Sequence, residues 1–270
     1  MTADEQTYAY VNARPGQRER LRTLEALLDA DTIRQLEARG VGRGWRCLEI
    51  GAGGGSIASW LCARVAPEGT VVATDLDTTV LRELSHPNLE VRIHDVLEDD
   101  LPDGEFDLVH LRLLLAWLAA PQTALQRLFG ALKPGGWLVA EEMDFVSSVA
   151  DPRMDAESRA LFARIHEAHD AVLGARHRFD VGYGRRVTGD LEAAGLTEVG
   201  CEGRATMWRG GGAGGRIWRL SIAQLRDEMI ASGLVTATDV DDAMALSDVP
   251  RFSSLSPIVM AAWGRRPAAR

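Results

Sequence analysis

Short apolar runs alternate with helical patterns over residues 46–146, and this alternation constrains the fold more than any other feature of the chain. The runs are RCLEIG, TVVATDLD, LEVRIHD, FDLVHLR and GWLVAEEM, and helical segments such as SIASWLCARV and TALQRLFGALKPGG lie between them. Strands and helices that alternate at this spacing are typical of βαβ units, which form a parallel sheet with helices on both faces. We therefore predict a doubly wound α/β sheet.

The segments on either side of this region predict further elements. Residues 17–40 have leucines at three- and four-residue steps and end in Gly40, which indicates a helix. Asp29 or Asp31 could cap a second helix, so one helix and two helices with a bend both remain open. The long helical stretch MDAESRALFARIHEAHDAVL stands where the alternation would place a short connection, and we interpret it as an inserted cap.

The last third of the chain continues the mixture of helices and strands. RRVTGDLEAAG, IWRLSIAQLRDEMIASG and DVDDAMALS are predicted helices, while EVGCEGRATMW and SPIVMAAWGRR are predicted strands. The glycine-rich segment RGGGAGG is interpreted as a flexible connection.

Charge and cysteine content narrow the function classes. The net charge of −9 argues against a surface that follows nucleic acid phosphates. The 3 cysteines are far apart and form no CxxC pair, which favours a reducing compartment and neither disulfides nor structural zinc. The N-terminal sequence has no apolar signal-peptide core, and no run of about 18 apolar residues occurs. We expect a cytoplasmic protein with no membrane partner.

The segment CLEIGAGGGSIASW indicates a ligand site, because it places glycines between a predicted strand and a predicted helix. Gly51 and Gly53 would let the backbone turn sharply and approach a nucleotide. A tight turn without a ligand is the alternative. Ser56 replaces the third glycine of a dinucleotide fingerprint, and the Glu49 carboxylate would repel a pyrophosphate. Asp75 ends the second strand, where a carboxylate can accept both hydroxyls of a ribose.

At this point the motifs resemble those of a known family. LEIGAGGGS, VVATDLD, RIHDV, FDLVHLR and LKPGGWLVAEE look like the successive motifs of class I S-adenosylmethionine-dependent methyltransferases, in order, over residues 43–146. The ending SPIVMAAWGRRP, with YGRR at 183, is similar to actinobacterial small-molecule members, some of which methylate natural products, including indoles at carbon. The resemblance implies a Rossmann-like sheet of seven strands whose last strand is antiparallel.

The resemblance also implies which residues contact the cofactor S-adenosylmethionine. These residues lie in the glycine turn and at the ends of the second, third and fourth strands. Glu49, Gly51 and Gly53 would lie at the turn and the methionine portion, and Asp75 would lie at the ribose. Leu76 would lie against the adenine, with Asp95 and Val96 at the adenine edge and face. Leu111 and Arg112 would lie at the methionine end.

Methyl transfer from a sulfonium needs mainly alignment, and a general base is required only where the acceptor loses a proton. The predicted catalytic candidates are Glu142, Asp144, His110 and Tyr183. His110 could instead be a core histidine, and Tyr183 could cap a helix. Many relatives have an acid and a histidine after the fourth strand, where this chain has Ala116 and Trp117, so a base from that position is doubtful.

Aromatic and histidine side chains are the predicted substrate contacts. They are Tyr10, Trp117, Phe162, His166 and His169. The alternatives are a core or cap contact for Trp117, a frayed terminus for Tyr10 and a solvated helix face for the two histidines. The histidines of HEAHD are three apart rather than at the zinc-protease spacing, so no metal is predicted.

We therefore predict a methyltransferase that acts on a small aromatic secondary metabolite, with indole-containing molecules as one candidate class. The alternatives are a methyltransferase for oxygen or nitrogen of a small molecule or protein, and a non-catalytic cofactor-binding domain. A nicotinamide oxidoreductase is disfavoured by Ser56 and Glu49. The expected partners are a small-molecule substrate and, as one possibility, a second copy of the chain. The predicted parts are a lid (1–42), the cofactor-binding core (43–146), an inserted cap (147–182) and the C-terminal part of the same Rossmann-like domain (183–270).

Overall fold

The computed structural model describes residues 8–10 and 15–268 of the chain, and within them it contains ten strands and seven α-helices. The strands are β1 (Arg46–Ile50), β2 (Thr70–Asp75), β3 (Leu89–Ile93), β4 (Phe106–Arg112), β5 (Leu132–Asp144), β6 (Val149–Ala150), β7 (Thr197–Arg204), β8 (Met207–Arg209), β9 (Ser253–Leu255) and β10 (Ile258–Arg265). The helices are α1 (Gln17–Ala38), α2 (Ser56–Val65), α3 (Pro121–Ala131), α4 (Ala156–His177), α5 (Val187–Ala193), α6 (Ala213–Ala231) and α7 (Ala237–Leu246).

Seven strands form the main sheet in the order β3-β2-β1-β4-β5-β10-β7. Strands β1 to β5 pair in parallel wherever they are neighbours. The Gly135 N–H donates to the Arg266 carbonyl and the Arg266 N–H donates to the Gly136 carbonyl, so the start of β5 lies beside the end of β10. The last strand is therefore antiparallel, helices pack around the sheet, and the predicted fold class is confirmed.

The apolar runs become central strands because both faces of each strand are covered. In β2, Val71, Val72 and Ala73 are all buried, although their side chains alternate between the two faces. Helix α2 packs on β1 and β2 and contributes Leu61 and Val65 to the same apolar core. A strand buried on both faces appears in the sequence as a continuous apolar run rather than an alternating one, which explains why the prediction succeeded here.

The N-terminal helical pattern forms one helix, α1, and no second helix begins within it. Asp29 and Asp31, considered as caps, both lie inside this helix. From residue 28 onwards the buried side chains are Leu28, Thr32, Gln35 and Leu36, which share one helix face.

The described chain divides into two compact units, and neither unit is a continuous stretch of sequence. The sheet unit contains Leu28–Glu142, Tyr183–Gly203 and the residues from Met260 onwards. The cap unit contains the residues up to Leu27, Met143–Gly182 and Arg204–Val259. Residues 204–259 thus group with the inserted segment by their contacts. The four-part division that we predicted from the sequence stays a prediction.

The cap unit has its own small sheet and aromatic core. Strands β6, β9 and β8 pair antiparallel in that order, and helices α4, α6 and α7 pack on one another. The rings of Trp218 and Phe252 stack with centroids 5.0 Å apart, and Phe162 stacks on Trp218 at 5.3 Å. These aromatic rings provide the large contact area that holds the helices to the small sheet.

The glycine-rich segment 209–215 is not the flexible connection that we expected. It comprises the end of β8, a turn and the first residues of α6. A Cβ atom on Gly210 would lie 1.9 Å from the Val249 carbonyl oxygen, and one on Gly214 would lie 2.2 Å from the Trp208 ring. The glycines are therefore explained by close packing of the backbone. Among the described residues, no helix is both long and apolar enough to cross a membrane.

Candidate functional site

The glycine turn after β1 is the first part of the candidate site, which lies in the sheet unit. Gly51, Gly53 and Gly55 all have left-handed backbones, with φ values of 66°, 56° and 83°. A side chain in this region costs roughly 1–2 kcal/mol, which favours glycine at each of the three positions. The N–H of Ala52 donates to the Thr74 carbonyl at 2.9 Å and so fixes the turn to the end of β2. Gly55 was not singled out from the sequence, although the cluster of glycines in GAGGG was a signal for it.

Asp75 lies at the end of β2 and contacts the glycine turn directly. Its carboxylate accepts hydrogen bonds from the N–H groups of Gly53, at 2.9 Å, and Asp77, at 3.2 Å. Burial raises the pKa of Asp75, and these backbone donors oppose the shift. Each carboxylate oxygen has two lone pairs, so the group retains acceptor capacity for ligand hydroxyls. The next residue, Leu76, exposes 56% of its surface and presents an apolar group beside the carboxylate.

Asp95 and Val96 follow β3 at the same carboxyl edge of the sheet. Asp95 is half-buried, and its Oδ1 accepts the Leu97 N–H at 2.8 Å, which forms a local turn. Val96 is buried. The structure thus places an acceptor and an apolar side chain next to each other, although their predicted contact with adenine stays a prediction.

Glu142 holds the loop that follows β4. Its Oε1 accepts the N–H groups of Leu114 at 2.9 Å and Leu115 at 2.6 Å. Burial raises the pKa of Glu142 to about 8, against the opposing effect of the backbone donors. A Cβ atom on Gly51 would lie 3.4 Å from the Leu114 side chain, so this loop borders the glycine turn. The geometry makes Glu142 an anchor for the loop, while its predicted catalytic role is untested.

His110 lies in a wholly buried polar network. Its Nδ1 is 2.7 Å from Glu49 Oε2 and its Nε2 is 3.4 Å from Glu141 Oε2. Burial disfavours the imidazolium, but the two carboxylates outweigh burial and raise the pKa of His110 to about 9. Burial also opposes the charge of Glu141, yet His110 and Arg112 hold the pKa of that carboxyl below its usual value. The network was not foreseen, because no pattern in the sequence pointed to Glu141.

Helix α1 joins this network through two side chains one turn apart. The Thr32 hydroxyl donates to Glu141 and accepts from Arg112 Nη1 at 2.9 Å. Arg112 Nη2 donates to Asp29 Oδ1 at 3.0 Å, and the Ser56 hydroxyl donates to the same oxygen at 3.1 Å. Leu111, the residue before Arg112, is fully buried in β4. Sequence reasoning missed Asp29 and Thr32 at this site.

The two other predicted catalytic residues occupy different environments. Tyr183 is fully buried in the sheet unit, and its hydroxyl donates to Asp190 Oδ2 at 2.7 Å. Burial and this carboxylate raise the pKa of Tyr183 far above its usual value, so the phenol remains protonated. Asp144 is buried at the end of β5, and its carbonyl accepts the Ser147 hydroxyl at 2.6 Å. These contacts do not test the predicted catalytic role of either Tyr183 or Asp144.

Four of the five predicted substrate contacts belong to the cap unit and form two pairs there. Phe162 and His166 have ring centroids 4.2 Å apart, and burial lowers the pKa of His166 to about 4, so that its imidazole is neutral. The Tyr10 hydroxyl is 3.2 Å from His169 Nε2, and His169 Nδ1 is 3.0 Å from Asp170 Oδ1.

The fifth predicted contact, Trp117, is half-buried and ends a short 3₁₀ helix of the sheet unit. Nowhere in residues 8–10 and 15–268 do three or more histidine, cysteine or acidic side chains group so as to hold a metal ion.

The chain is similar to known methyltransferases in sequence and in fold. Residues 48–140 match the family model Methyltransf_11, described as a methyltransferase domain. Methyltransferase str3 of Strobilurus tenacellus is 32% identical over 165 residues, which cover 59% of this chain and 56% of that protein. Methyltransferase str2 of the same fungus is 33% identical over 156 residues, which cover 57% of this chain and 54% of that protein. The chain therefore spans about half the length of the curated relatives it matches.

A solved structure from Bacillus halodurans, described as that of a methyltransferase, shares the fold. It has a TM-score of 0.57 and 17% identity, and the match covers 88% of this chain and 100% of that one. The chain therefore shares its fold with that structure, and residues 48–140 are similar to a methyltransferase domain. The matched residues, 48–140, include the glycine turn, Glu49, Asp75 and His110.

Proposed function

We propose that the protein transfers a methyl group from S-adenosylmethionine to a small acceptor molecule. The observation that carries this proposal is the position of Asp75, whose carboxylate lies one hydrogen bond from the left-handed turn Gly51–Gly55. This arrangement offers acceptors for ribose hydroxyls beside a glycine-rich backbone turn, at the carboxyl edge of parallel strands. The match of residues 48–140 to a methyltransferase domain supports the same conclusion.

The residues present fit the parts of the cofactor. Asp75 would accept the two ribose hydroxyls, Leu76 would cover one face of the adenine, and Asp95 would accept the adenine amine. The glycine turn would hold the methionine portion, because four of its five residues are glycines, without a Cβ atom to obstruct a close approach of the ligand to the backbone. When bound, the cofactor supplies a methyl group already activated on a positively charged sulfur.

The chain itself therefore has to align the acceptor and exclude water. Glu142 contributes to alignment by fixing the loop at Leu114 and Leu115 beside the glycine turn. The buried network around His110 keeps its charges fixed without contact with solvent. A base is required only for an acceptor that must lose a proton.

We infer an aromatic acceptor, with indole-containing secondary metabolites as one candidate class. The support is the aromatic character of the cap unit, in which the half-buried, neutral His166 lies against the buried Phe162 ring at 4.2 Å between centroids, and rings of this kind suit contact with an apolar planar molecule. A relative from Laribacter hongkongensis, 33% identical over 129 residues, is named a ubiquinone/menaquinone biosynthesis C-methyltransferase, which supports carbon as one acceptor atom. Oxygen or nitrogen acceptors and a non-catalytic cofactor-binding role are the alternatives.

The test combines binding with turnover. Calorimetry should show that the purified protein binds S-adenosylmethionine and S-adenosylhomocysteine. Incubation with methyl-labelled cofactor and a panel of indoles, phenols, amines and carboxylic acids should then give a labelled product by mass spectrometry. Nuclear magnetic resonance of that product identifies the acceptor atom. Cofactor binding without any labelled product would favour the non-catalytic role, and absence of binding would refute the proposal.

We also infer that the protein acts in the cytoplasm on a small-molecule substrate and not on nucleic acid, for which its net charge of −9 is unsuited. A homodimer is a further proposal, which light scattering of the purified protein would test.

A further inference from the structure

Helices α1 and α6 border a groove that belongs wholly to the cap unit. Its volume is about 600 Å³, which lies within the range of roughly 300–1,000 Å³ that small-molecule sites occupy. The first turns of α1 form one wall, and the start of α6 with the two residues before it forms the other. The site residues that we predicted from the sequence lie elsewhere, so the groove is not part of the site described above.

Two side-chain contacts fix the helices that border the groove. Arg20 Nε donates to the Ser221 hydroxyl at 3.2 Å, and the Gln224 amide donates to Gln17 Oε1 at 3.2 Å. Both contacts join α1 to α6 through side chains outside the groove lining. The groove is therefore preformed by the packing of the two helices.

The lining of the groove is positively charged, although the chain as a whole has a net charge of −9. Arg18, Arg22 and Arg216 line it, together with a single carboxylate, that of Glu19. Arg216 Nη1 lies 3.8 Å from Glu19 Oε1, which is beyond hydrogen-bond distance, and all three arginines are exposed. One carboxylate cannot balance three guanidinium groups, so an anion from solution would be attracted to the groove.

The positions of these arginines oppose the stability of their own helices. Arg18 and Arg22 are four residues apart on α1, and like charges at this spacing repel each other. Arg18 and Arg216 also lie in the first turns of α1 and α6, where the partial positive charge of a helix N-terminus disfavours cations. Local rules broken together at one place are typical of functional sites. A bound anion would relieve both repulsions.

The start of α6 adds hydrogen-bond donors to this charge. Gly212 precedes the helix and provides no side-chain cap. Within the part of the chain that the structure describes, no acceptor meets the N–H groups of Ala213, Gly214 and Gly215. Gly212 and Ala213 both lie in the groove wall. The groove thus combines guanidinium groups, whose planar donors suit phosphate oxygens, with backbone donors of the kind that bind phosphate.

We propose that this groove binds the phosphate group of a small phosphorylated molecule. Arg22 and Arg216 donate to the phosphate oxygens, while Arg18 and the start of α6 supply further positive charge. A phosphate group fills only a small part of the groove, and Ala26 and Ala213 provide apolar surface for the organic portion of the ligand. A small phosphate ester fits better than nucleic acid, because a net charge of −9 repels a long polyanion. The inference does not depend on the proposed function.

The first experiment compares ligands with and without the phosphate group. Butyl phosphate carries this group and a short apolar chain, whereas 1-butanol carries the chain alone. By calorimetry we expect butyl phosphate to bind about 10-fold or more tightly than 1-butanol, both with and without S-adenosylhomocysteine present. Competition with S-adenosylhomocysteine would place the phosphate in the cofactor site and overturn the inference. Sedimentation of the protein with vesicles that contain phosphatidic acid would show a lipid surface as the ligand instead.

Substitutions of exposed residues test the groove itself. Arg22→Gln and Arg216→Gln should each weaken butyl phosphate about 10-fold or more. Arg159→Gln is the matched control, because Arg159 is an exposed arginine of α4 in the same unit and outside the groove, and it should bind like the wild type. Glu19→Gln should have the opposite effect. It removes the carboxylate of the lining, so we expect it to tighten binding about 2- to 5-fold.

Three results would contradict the inference. Butyl phosphate could bind the wild type no more tightly than 1-butanol, which would mean that there is no phosphate site. Arg159→Gln could weaken binding as much as the groove variants, which would mean a general attraction of charge. Arg22→Gln could lower the thermal unfolding temperature without changing the affinity, which would mean that this arginine serves the fold. Affinity for S-adenosylhomocysteine should stay unchanged in every variant, so a failure here leaves the proposed function intact.

Discussion

The imidazole of His110 lies 2.7 Å from the carboxylate of Glu49, and both side chains are buried. Glu141 lies on the other side of the ring, at 3.4 Å. With its pKa raised to about 9, His110 is positively charged at neutral pH and separates two carboxylates that would otherwise repel each other. His110, which we considered as a catalytic base, is therefore the positive charge that allows the Glu49 carboxylate to be buried two residues before Gly51.

Replacement of His110 should strongly destabilise the protein. In His110→Gln, two buried carboxylates would lose their shared cation, and breaking a buried pair in this way costs about 3–5 kcal/mol in the free energy of unfolding. Urea denaturation at pH 7 measures the effect. His86→Gln, at a half-exposed histidine, is the control and should change stability by less than about 0.5 kcal/mol. A similar small change in His110→Gln would show that the network adds nothing to stability.

The same histidine predicts a dependence of stability on alkaline pH. Its pKa is raised from 6.5 when unfolded to about 9 when folded, so the folded state binds the proton more tightly. The stabilisation is fully present below pH 6.5 and is lost as the pH rises through about 9. Urea midpoints measured from pH 6 to 10 should fall over this window in the wild type. The fall should be smaller in His110→Gln, and identical slopes would contradict the prediction.

Replacement of Glu142 should stabilise the protein at alkaline pH, whereas replacement of His110 should destabilise it. Burial raises its pKa from 4.5 to about 8, so between these values the folded protein holds a proton that the unfolded chain has released. Stability from this group therefore falls as the pH rises from 4.5 through 8. Glu142→Gln keeps an oxygen acceptor for Leu114 and Leu115 but never ionises. We expect it to be more stable than the wild type at pH 8 by about 1–3 kcal/mol.

The measurement for Glu142 is the difference in unfolding free energy between variant and wild type at pH 4.5 and pH 8. It should be near zero at the lower pH and positive at the higher one. A variant that is less stable at pH 8 would show that the ionised carboxylate, with its backbone donors, is the preferred form.

Asp75→Asn should weaken cofactor binding with little change in stability. Loss of the charge weakens hydrogen bonds from ribose hydroxyls, which we expect to reduce affinity for S-adenosylhomocysteine about 10- to 100-fold. Calorimetry provides the affinity. Asp77→Asn removes a neighbouring charge on an exposed residue and should bind like the wild type. Equal affinities of Asp75→Asn and wild type would refute the ribose role.

Gly210→Ala should destabilise the cap unit. The added Cβ atom would lie 1.9 Å from the Val249 carbonyl oxygen, so the backbone must shift. Overpacking of this kind costs about 1–3 kcal/mol. Gly189→Ala in α5, where no atom lies within 4 Å of the new Cβ, should instead be neutral or stabilise by about 0.5–1 kcal/mol. Thermal unfolding of the two variants tests the contrast, and equal behaviour would contradict the packing argument.

The sequence was enough to predict the sheet and the contacts at the carboxyl ends of its parallel strands. Gly53 and Asp75 are 22 residues apart and share a hydrogen bond, because parallel strands bring their carboxyl ends to one edge. The left-handed turn could be inferred from its glycines alone. These features depend on local pattern and on the regular geometry of βαβ units, both of which are visible in the residue order.

Contacts made by helix side chains over long sequence distances could not be inferred. Asp29 meets Arg112 across 83 residues, and Thr32 meets Glu141 across 109. Nothing in the pattern of α1 indicates which of its polar residues faces the sheet. The segment 209–215 was misjudged for a related reason: glycine permits both flexibility and close packing, and only the neighbouring atoms distinguish the two.

The interleaving of the two units has a consequence for synthesis of the chain. Strand β10 pairs beside β5, yet its first residue, Ile258, is translated only after β6 to β9 and nearly all of the cap unit. Until then β5 is the open edge of a five-stranded sheet, and its unpaired N–H and C=O groups are a template for wrong pairing. Because domains fold as they leave the ribosome, the nascent chain is most exposed to aggregation, and most in need of a chaperone, in the interval between Asp144 and Ile258.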